Sequence, residues 1–112
     1  MKEKQTTEMN NLQPIMYHLL PEVREILQTH HVKQAYFFGS VCTDKFNENS
    51  DIDMLIGFGD SFYFEGYAEN FWDMEEKLEN LFQRKIDLVP IHTLKNPYFI
   101  KSVNQTKVPI YE

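Results

Sequence analysis

Two short stretches rich in aromatic and β-branched residues constrain the fold most strongly. Residues 32–39, VKQAYFFG, and residues 51–58, DIDMLIGF, have the composition of β-strands. The first stretch stops at Gly39, as a strand does when it enters a sharp turn. Residues 41–50 are polar and rich in turn-forming side chains, which indicates a loop. The sequence therefore predicts two strands that are neighbours in a hairpin.

Helical periodicity flanks this hairpin on both sides. Residues 12–31 carry apolar side chains at helical spacing, which predicts one helix with Pro21 either in a first turn or at a break between two short helices. Residues 67–85 predict a second helix. Its apolar face is formed by Phe71, Met74, Leu78, Leu81 and Phe82.

The rest of the chain supplies two more strands and a third helix. KIDLVPI (85–91) and VPIYE (108–112) are typical of strands, and Asn96-Pro97 indicates the start of a helix over PYFIKSVNQ. Strands that alternate with helices predict an α/β fold, equally described as α+β, with a mixed β-sheet of about four strands flanked by helices. A chain of 112 residues suits one domain, which we expect over residues 12–112 behind a flexible tail of residues 1–11.

Composition limits the binding partners and the compartment. Eleven Lys and Arg residues against 17 Asp and Glu residues give a net charge of −6, which disfavours direct binding to nucleic acid. The single cysteine, Cys42, excludes an internal disulfide and is expected to be a small packing residue. The polar start and the lack of a long apolar run predict a soluble cytoplasmic protein without membrane contact. The four histidines show no metal-ligand spacing and are predicted to be surface residues: His18, His30, His31 and His92.

A pair of carboxylates stands at the start of the second strand. Because side chains at positions i and i+2 of a strand point the same way, Asp51 and Asp53 should project together, with Ile52 in the core. Close carboxylates repel each other unless they share a proton or a cation, and Mg²⁺ takes oxygen ligands. Asp87, between apolar residues of a later strand, is predicted to complete a two-metal site. Alone, an Asp-x-Asp pair is more often a solvated turn.

The Gly39-Ser40 pair adds a second feature. Glycine lets the backbone approach a ligand closely, and Ser40 is expected to start a short helix whose free amide groups could receive phosphate. By itself such a pair is an ordinary turn. The combination is specific: apolar-Gly-Ser, then ten residues, then Asp-apolar-Asp, then apolar-Asp-apolar some thirty residues later.

These motifs carry a resemblance to a known family. The sequence resembles the DNA polymerase β-like nucleotidyltransferase superfamily in three segments: Phe38-Gly39-Ser40, Ser50-Asp51-Ile52-Asp53 and Ile86-Asp87-Leu88. Its short length and its final segment NPYFIKSVNQTKVPIYE are similar to the minimal nucleotidyltransferases, MNT, which are encoded beside HEPN-domain proteins. The resemblance covers roughly residues 20–112.

The resemblance implies a site at one edge of the sheet and a role for each motif residue. It assigns Gly39 and Ser40 to the nucleotide phosphates and Asp51 and Asp53 to metal ligation. Asp87 takes the role of the third acid, also near the metal, which assists the attacking hydroxyl. The implied activity uses Mg²⁺, with two ions expected, and transfers AMP from ATP to a tyrosine of a HEPN ribonuclease toxin. The chain would act as the antitoxin.

One departure from the family pattern leaves alternatives open. Many members carry a cation soon after Gly-Ser, where this chain has Cys42-Thr43-Asp44. Loss of that cation should weaken the binding of a triphosphate, and Lys45 is the candidate substitute. The alternatives are a binding module that neutralises its partner by occlusion alone, and a transferase that acts on a small molecule. Base preference, acceptor and any homo-oligomer are left open.

Overall fold

The computed structural model describes residues 14–60 and 64–112. The expected N-terminal tail, residues 1–11, lies outside the described residues. The described chain forms three α-helices and four β-strands, with short 3₁₀ turns at Gly39–Cys42 and Ile91–Thr93. In chain order the elements are α1 Pro14–Thr29, β1 Gln34–Phe38, β2 Ile52–Gly57, α2 Tyr67–Phe82, β3 Ile86–Pro90, α3 Pro97–Thr106 and β4 Val108–Tyr111.

The four strands form one mixed sheet in the order β3-β2-β1-β4. Strand β1 is antiparallel to both β2 and β4, whereas β2 and β3 are parallel. The predicted hairpin of β1 and β2 is confirmed, and so is the mixed sheet of about four strands with helices around it. The parallel pair follows from the connection through α2, because parallel neighbours need a long crossover.

The larger apolar core lies between one face of the sheet and helices α1 and α2. Ile52, Met54 and Ile56 turn to this face because alternate side chains of a strand share a face. Phe37 of β1 is fully buried beside them. The helices contribute a stripe of buried apolar side chains: Met16, Leu20, Val23 and Leu27 from α1, and Met74 and Leu78 from α2.

A smaller core lies on the opposite face, beneath α3. It contains Phe38, Leu55 and Val103. Helix α3 begins at Pro97 after Asn96, whose side chain accepts hydrogen bonds from the amides of residues 98 and 99, so the predicted helix start is confirmed. Asp53 shares the face of Leu55, two residues along β2. The carboxylates therefore lie at one end of the face that α3 covers.

Two helix boundaries differ from the sequence prediction. Pro21 was expected in a first turn or at a break, and both expectations are wrong because Pro21 lies inside the continuous helix α1. An interior proline costs about 3 kcal/mol, and the burial of the apolar stripe of α1 offsets that cost. Helix α2 ends at Phe82 rather than at residue 85, because Gln83 adopts a left-handed conformation with φ of 56°.

The prediction of four surface histidines is wrong for His30. His18 and His31 are exposed, but His30 is only 7% exposed. Its Nδ1 lies 2.7 Å from the Ile26 carbonyl oxygen and its Nε2 lies 2.6 Å from Oδ2 of Asp73. The His30 ring therefore lies between two oxygen acceptors, one from each helix. His30 thus ties α1 to α2.

The helices in the described part of the chain are too short or too polar to cross a membrane.

Candidate active site

The three sequence motifs meet at one edge of the sheet. The C-terminal end of β1 lies beside the N-terminal ends of β2 and β3, because β1 runs antiparallel to β2 and β3 runs parallel to it. Phe38, immediately before Gly39, pairs with Asp53, and Asp53 pairs with Asp87. Three segments that are far apart in sequence are thereby placed at adjacent strand ends.

Asp53 and Asp87 lie side by side on the same face. They are register partners in parallel strands, whose neighbouring backbones are about 4.8 Å apart. Ile52 and Ile86 are the preceding register partners and are fully buried on the other face. Asp51 directly precedes β2 and is exposed. The prediction that Ile52 enters the core is confirmed.

The electrostatics of Asp53 reflect this crowding of negative charge. Partial burial, followed by the charges of Asp87 and then Asp51, raises the pKa of the Asp53 carboxyl from 3.8 to about 6. The ionised form is therefore disfavoured in the folded protein when no cation is bound. A bound cation would remove this cost.

Gly39 brings the backbone against one of these carboxylates. Its φ is +77°, and a Cβ atom at this position would lie 2.5 Å from Oδ2 of Asp53, so a side chain does not fit. The predicted short helix is present as the 3₁₀ turn Gly39–Cys42. The amide of Gly39 is not free, because it donates a 2.8 Å hydrogen bond to Oγ1 of Thr106 at the end of α3.

Buried Cys42 closes the 3₁₀ turn and packs in the main core, as predicted. Burial, followed by the nearby charge of Asp53, raises the pKa of its thiol to about 12. A thiol with so high a pKa remains protonated and is a poor nucleophile. Its place in the site is therefore structural.

Thr43, which follows the 3₁₀ turn where a cation was expected, has a structural role of its own. The hydroxyl of Thr43 donates a 3.0 Å hydrogen bond to the Ser40 carbonyl oxygen and accepts one of 3.2 Å from the Lys45 amide. Thr43 thus fastens the end of the 3₁₀ turn. Lys45 is exposed, and its role in phosphate binding remains a prediction, as does that of Ser40.

Arg84 is a residue that the sequence motifs did not indicate. Its Nη1 donates hydrogen bonds of 3.0 Å to the Asn47 carbonyl and 2.7 Å to the Ser50 carbonyl. Its guanidinium carbon lies 4.5 Å from the centre of the Phe46 ring. The only sequence signal is a cation shortly before the strand of Asp87. Arg84 anchors the loop that leads into Asp51.

The carboxylates of the site suit an open metal site rather than a closed one. Within residues 14–60 and 64–112, no three His, Cys, Asp or Glu side chains form a group that could hold an ion by themselves. Mg²⁺ is usually held by one or two carboxylates together with substrate phosphates and water, rather than by a cage made only of protein. The adjacent carboxylates of Asp53 and Asp87, with Asp51 beside them, are chemically suited to such an open site.

The family of the chain agrees with this geometry. The chain belongs to the nucleotidyltransferase domain family, whose model matches residues 20–109, and is by that membership a nucleotidyltransferase. A relative from Methanocaldococcus jannaschii, named "Putative protein adenylyltransferase", is 33% identical over 94 residues and covers 77% of this chain and 92% of the relative. A second protein of the same organism and name is 32% identical over 100 residues, covering 81% and 97%.

Solved structures share the fold. One described as a "putative minimal nucleotidyltransferase" has a TM-score of 0.69 and 22% identity, covering 85% of this chain and 92% of that one. A toxin-antitoxin structure with AMP-PNP has a TM-score of 0.66 and 19% identity, covering 82% and 72%. A tri-AMPylated HEPN toxin of Shewanella oneidensis in complex with its MNT antitoxin matches with a TM-score of 0.58 and 18% identity, covering 82% and 68%. At sequence identities of 18–22%, these similarities are evidence for a shared fold alone.

Proposed function

We propose that this chain transfers AMP from ATP to a tyrosine of a HEPN ribonuclease toxin and acts as its antitoxin. The observation that carries the proposal is the placement of Gly39, Asp53 and Asp87 at one sheet edge, with Asp51 adjoining. The names of the relatives support adenylyl transfer to protein, and the solved toxin-antitoxin complexes support a HEPN partner. The AMP-PNP complex supports ATP as donor.

The carboxylates have distinct roles in this proposal. Asp51 and Asp53 would hold Mg²⁺, which neutralises the charge of the triphosphate and aligns it for in-line displacement. The acceptor hydroxyl attacks the α-phosphorus, the bond to the β-phosphate breaks, and pyrophosphate leaves. Asp87 is exposed beside Asp53, where it can take the proton from the attacking hydroxyl. Most of the rate enhancement would come from positioning and electrostatics.

Surface properties favour a protein as the acceptor. The net charge of −6 opposes binding to nucleic acid. Trp72 of α2 is 64% exposed and Tyr98 of α3 is 83% exposed, and aromatic side chains are enriched in protein interfaces. A partner that docks on the protein surface would present its own tyrosine to the sheet edge.

The test is incubation with ATP, Mg²⁺ and a cognate HEPN-domain protein. The expected result is a mass increase of the partner by one or more AMP groups, with the modification on a tyrosine. Asp51→Asn and Asp53→Asn should abolish the increase, while the complex still forms because docking need not use the metal ligands. Asp44→Asn, an exposed carboxylate in the neighbouring loop, is the matched control and should retain activity.

Thr43 favours a second candidate function, neutralisation by occlusion alone. Its side chain fastens the 3₁₀ turn at a position where the resemblance to the superfamily leads us to expect a cation for the triphosphate. If the wild-type protein neutralises the partner without a mass change, and the two carboxylate variants neutralise it equally well, occlusion replaces catalysis. A modified small molecule with an unmodified partner would instead indicate a small-molecule transferase.

A further inference from the structure

The backbone on both sides of Asp51 is held by two consecutive residues. The carbonyl of Ser50, in the peptide before Asp51, accepts a 2.7 Å hydrogen bond from Nη1 of Arg84. The amide of Ile52, in the peptide after Asp51, donates a 3.1 Å hydrogen bond to the Lys85 carbonyl. Asp51 is exposed and precedes the first residue of β2, so these two bonds fix its position.

The two bonds have different origins. The bond between Ile52 and Lys85 uses backbone groups only, and it extends the pairing of β2 with β3. The bond to Ser50 depends entirely on the Arg84 side chain. The same Nη1 atom also donates a hydrogen bond to the Asn47 carbonyl. That carbonyl closes a tight turn, because it also accepts a 3.0 Å hydrogen bond from the Ser50 amide. One guanidinium therefore fixes the turn that delivers Asp51 to the sheet edge.

Packing holds the guanidinium in this orientation. It lies over the Phe46 ring at 4.5 Å, an arrangement in which cation and ring attract each other. A charged donor forms a stronger hydrogen bond to a carbonyl than a neutral one. Arg84 is partly buried, so exchange with water competes less with these bonds than at a fully exposed site.

We propose that Arg84 is a positioning residue for metal binding, which orients Asp51 by holding the Asn47 and Ser50 carbonyls. This inference rests on the proposed function, because it assigns Asp51 as a ligand of Mg²⁺. Residues that hold a metal ligand in place typically change metal affinity by about 10–100-fold when they are replaced. Arg84 does this from outside the three motifs that contain the carboxylates.

The experiment measures binding rather than turnover. Thermal melts of the full chain with AMP-PNP and increasing Mg²⁺ give the concentration of Mg²⁺ for half-maximal stabilisation. We expect Arg84→Gln to raise that concentration about tenfold or more, and Arg84→Lys, which keeps the charge and most of the stem, to restore part of the response. An unchanged Mg²⁺ requirement in Arg84→Gln overturns the inference.

Arg24 supplies the matched control. Its Nε donates a 2.8 Å hydrogen bond to the Ile110 carbonyl, so Arg24→Gln also removes a bond from a guanidinium to a carbonyl, but away from the carboxylates. Arg24→Gln should leave the Mg²⁺ requirement unchanged. An equal shift in both variants would mean that the effect is a general loss of stability, and this would contradict the inference.

Amide hydrogen exchange of the protein without Mg²⁺ or nucleotide separates the inference from the proposed function. Arg84→Gln should accelerate exchange across residues 47–52 and leave α1 unchanged, and unaltered exchange in that segment refutes the positioning. If the variant does not fold, Arg84→Lys takes its place in both measurements. If Mg²⁺ and AMP-PNP do not change the melting temperature of the wild-type protein, the proposed function is wrong, and so is the role of Arg84 in metal binding. The contact of Arg84 with the loop would still stand if hydrogen exchange confirms it.

Discussion

At the scale of single residues, Asp53 connects the site to protein stability. Its pKa is raised from 3.8 to about 6 by burial and by Asp87 and Asp51, so the folded state binds this proton more tightly than the unfolded state does. In the protein without metal, this group therefore favours folding most at acid pH. Its contribution is lost as the pH rises from about 4 to 6, and is constant above that range.

We expect Asp53→Asn to remove this pH dependence and to leave the metal-free protein as stable as the wild type, or more stable, at pH 7. Denaturant unfolding at several pH values measures the effect, with Asp44→Asn as the control that should retain the wild-type dependence. Marked destabilisation by Asp53→Asn at pH 7 would instead indicate a structural role for this carboxylate.

Gly39 tests the close approach of backbone and carboxylate. Gly39→Ala places a Cβ 2.5 Å from Asp53 Oδ2 at a φ of +77°, whereas Gly66→Ala has a similar φ of +82° with nothing within 4 Å. Both variants should lose stability through backbone strain, on the order of 1 kcal/mol. Gly39→Ala should lose more, and it should also lose the thermal response to Mg²⁺ and AMP-PNP. Equal losses and a retained response would show that the contact is unimportant.

At the scale of elements, the pairing of His30 with Asp73 fastens α1 to α2. Hydrogen bonds from His30, and then from Lys77, lower the pKa of the Asp73 carboxyl below its usual value of 3.8. A lowered pKa means that this group stabilises the fold above the unfolded value, and that the stabilisation is lost as the pH falls through the folded value.

Asp73→Asn should therefore reduce stability at neutral pH and have less effect at strongly acid pH. Denaturant unfolding at both pH values tests this, and Glu76→Gln, an exposed acid on the same helix, is the control expected to change little. If Asp73→Asn destabilised the protein equally at both pH values, the loss of stability would not come from the ionised carboxylate, and the prediction would be wrong.

The turn after β1 is the proposed contact for the triphosphate. Thr43→Arg restores a cation but removes the hydrogen bond to the Ser40 carbonyl, so its proper reference is Thr43→Val, which loses only the hydroxyl. We expect Thr43→Arg to bind ATP about tenfold more tightly than Thr43→Val, which corresponds to one added charged contact of about 1.4 kcal/mol. Equal affinities by calorimetry would mean that another cation, such as Lys45, already fills the role.

At the scale of the whole molecule, one sheet separates two cores and carries the site at the end of the smaller one. Helices α1 and α2 cover one face and α3 covers the other. The amide of Gly39 bonds to Thr106 of α3, while the turn before Asp51 bonds to Arg84 beyond α2. The site edge is thus fastened by elements from both sides of the sheet.

The sequence by itself determined the elements and the carboxylate motif. Alternation at residues 51–53 placed Ile52 in the core, and helical spacing identified the apolar face of α2, of which Met74 and Leu78 are buried. These features are local, because the periodicity of a strand or helix decides which side chains share a face. The burial of Ile52 follows from that pattern, and the hairpin follows from two strand-like stretches joined by a polar loop; the structure agrees with both.

Only the tertiary structure decided the contacts that hold the site and the helices in place. Gly39 with Thr106, Arg84 with Ser50 and His30 with Asp73 are separated by 67, 34 and 43 positions in the chain. A hydrogen bond between such residues forms only after packing brings their elements together, so periodicity carries no signal for it. For the same reason the sequence placed His30 on the surface and Pro21 in a first turn or at a break, since tertiary burial outweighs local preference at both positions.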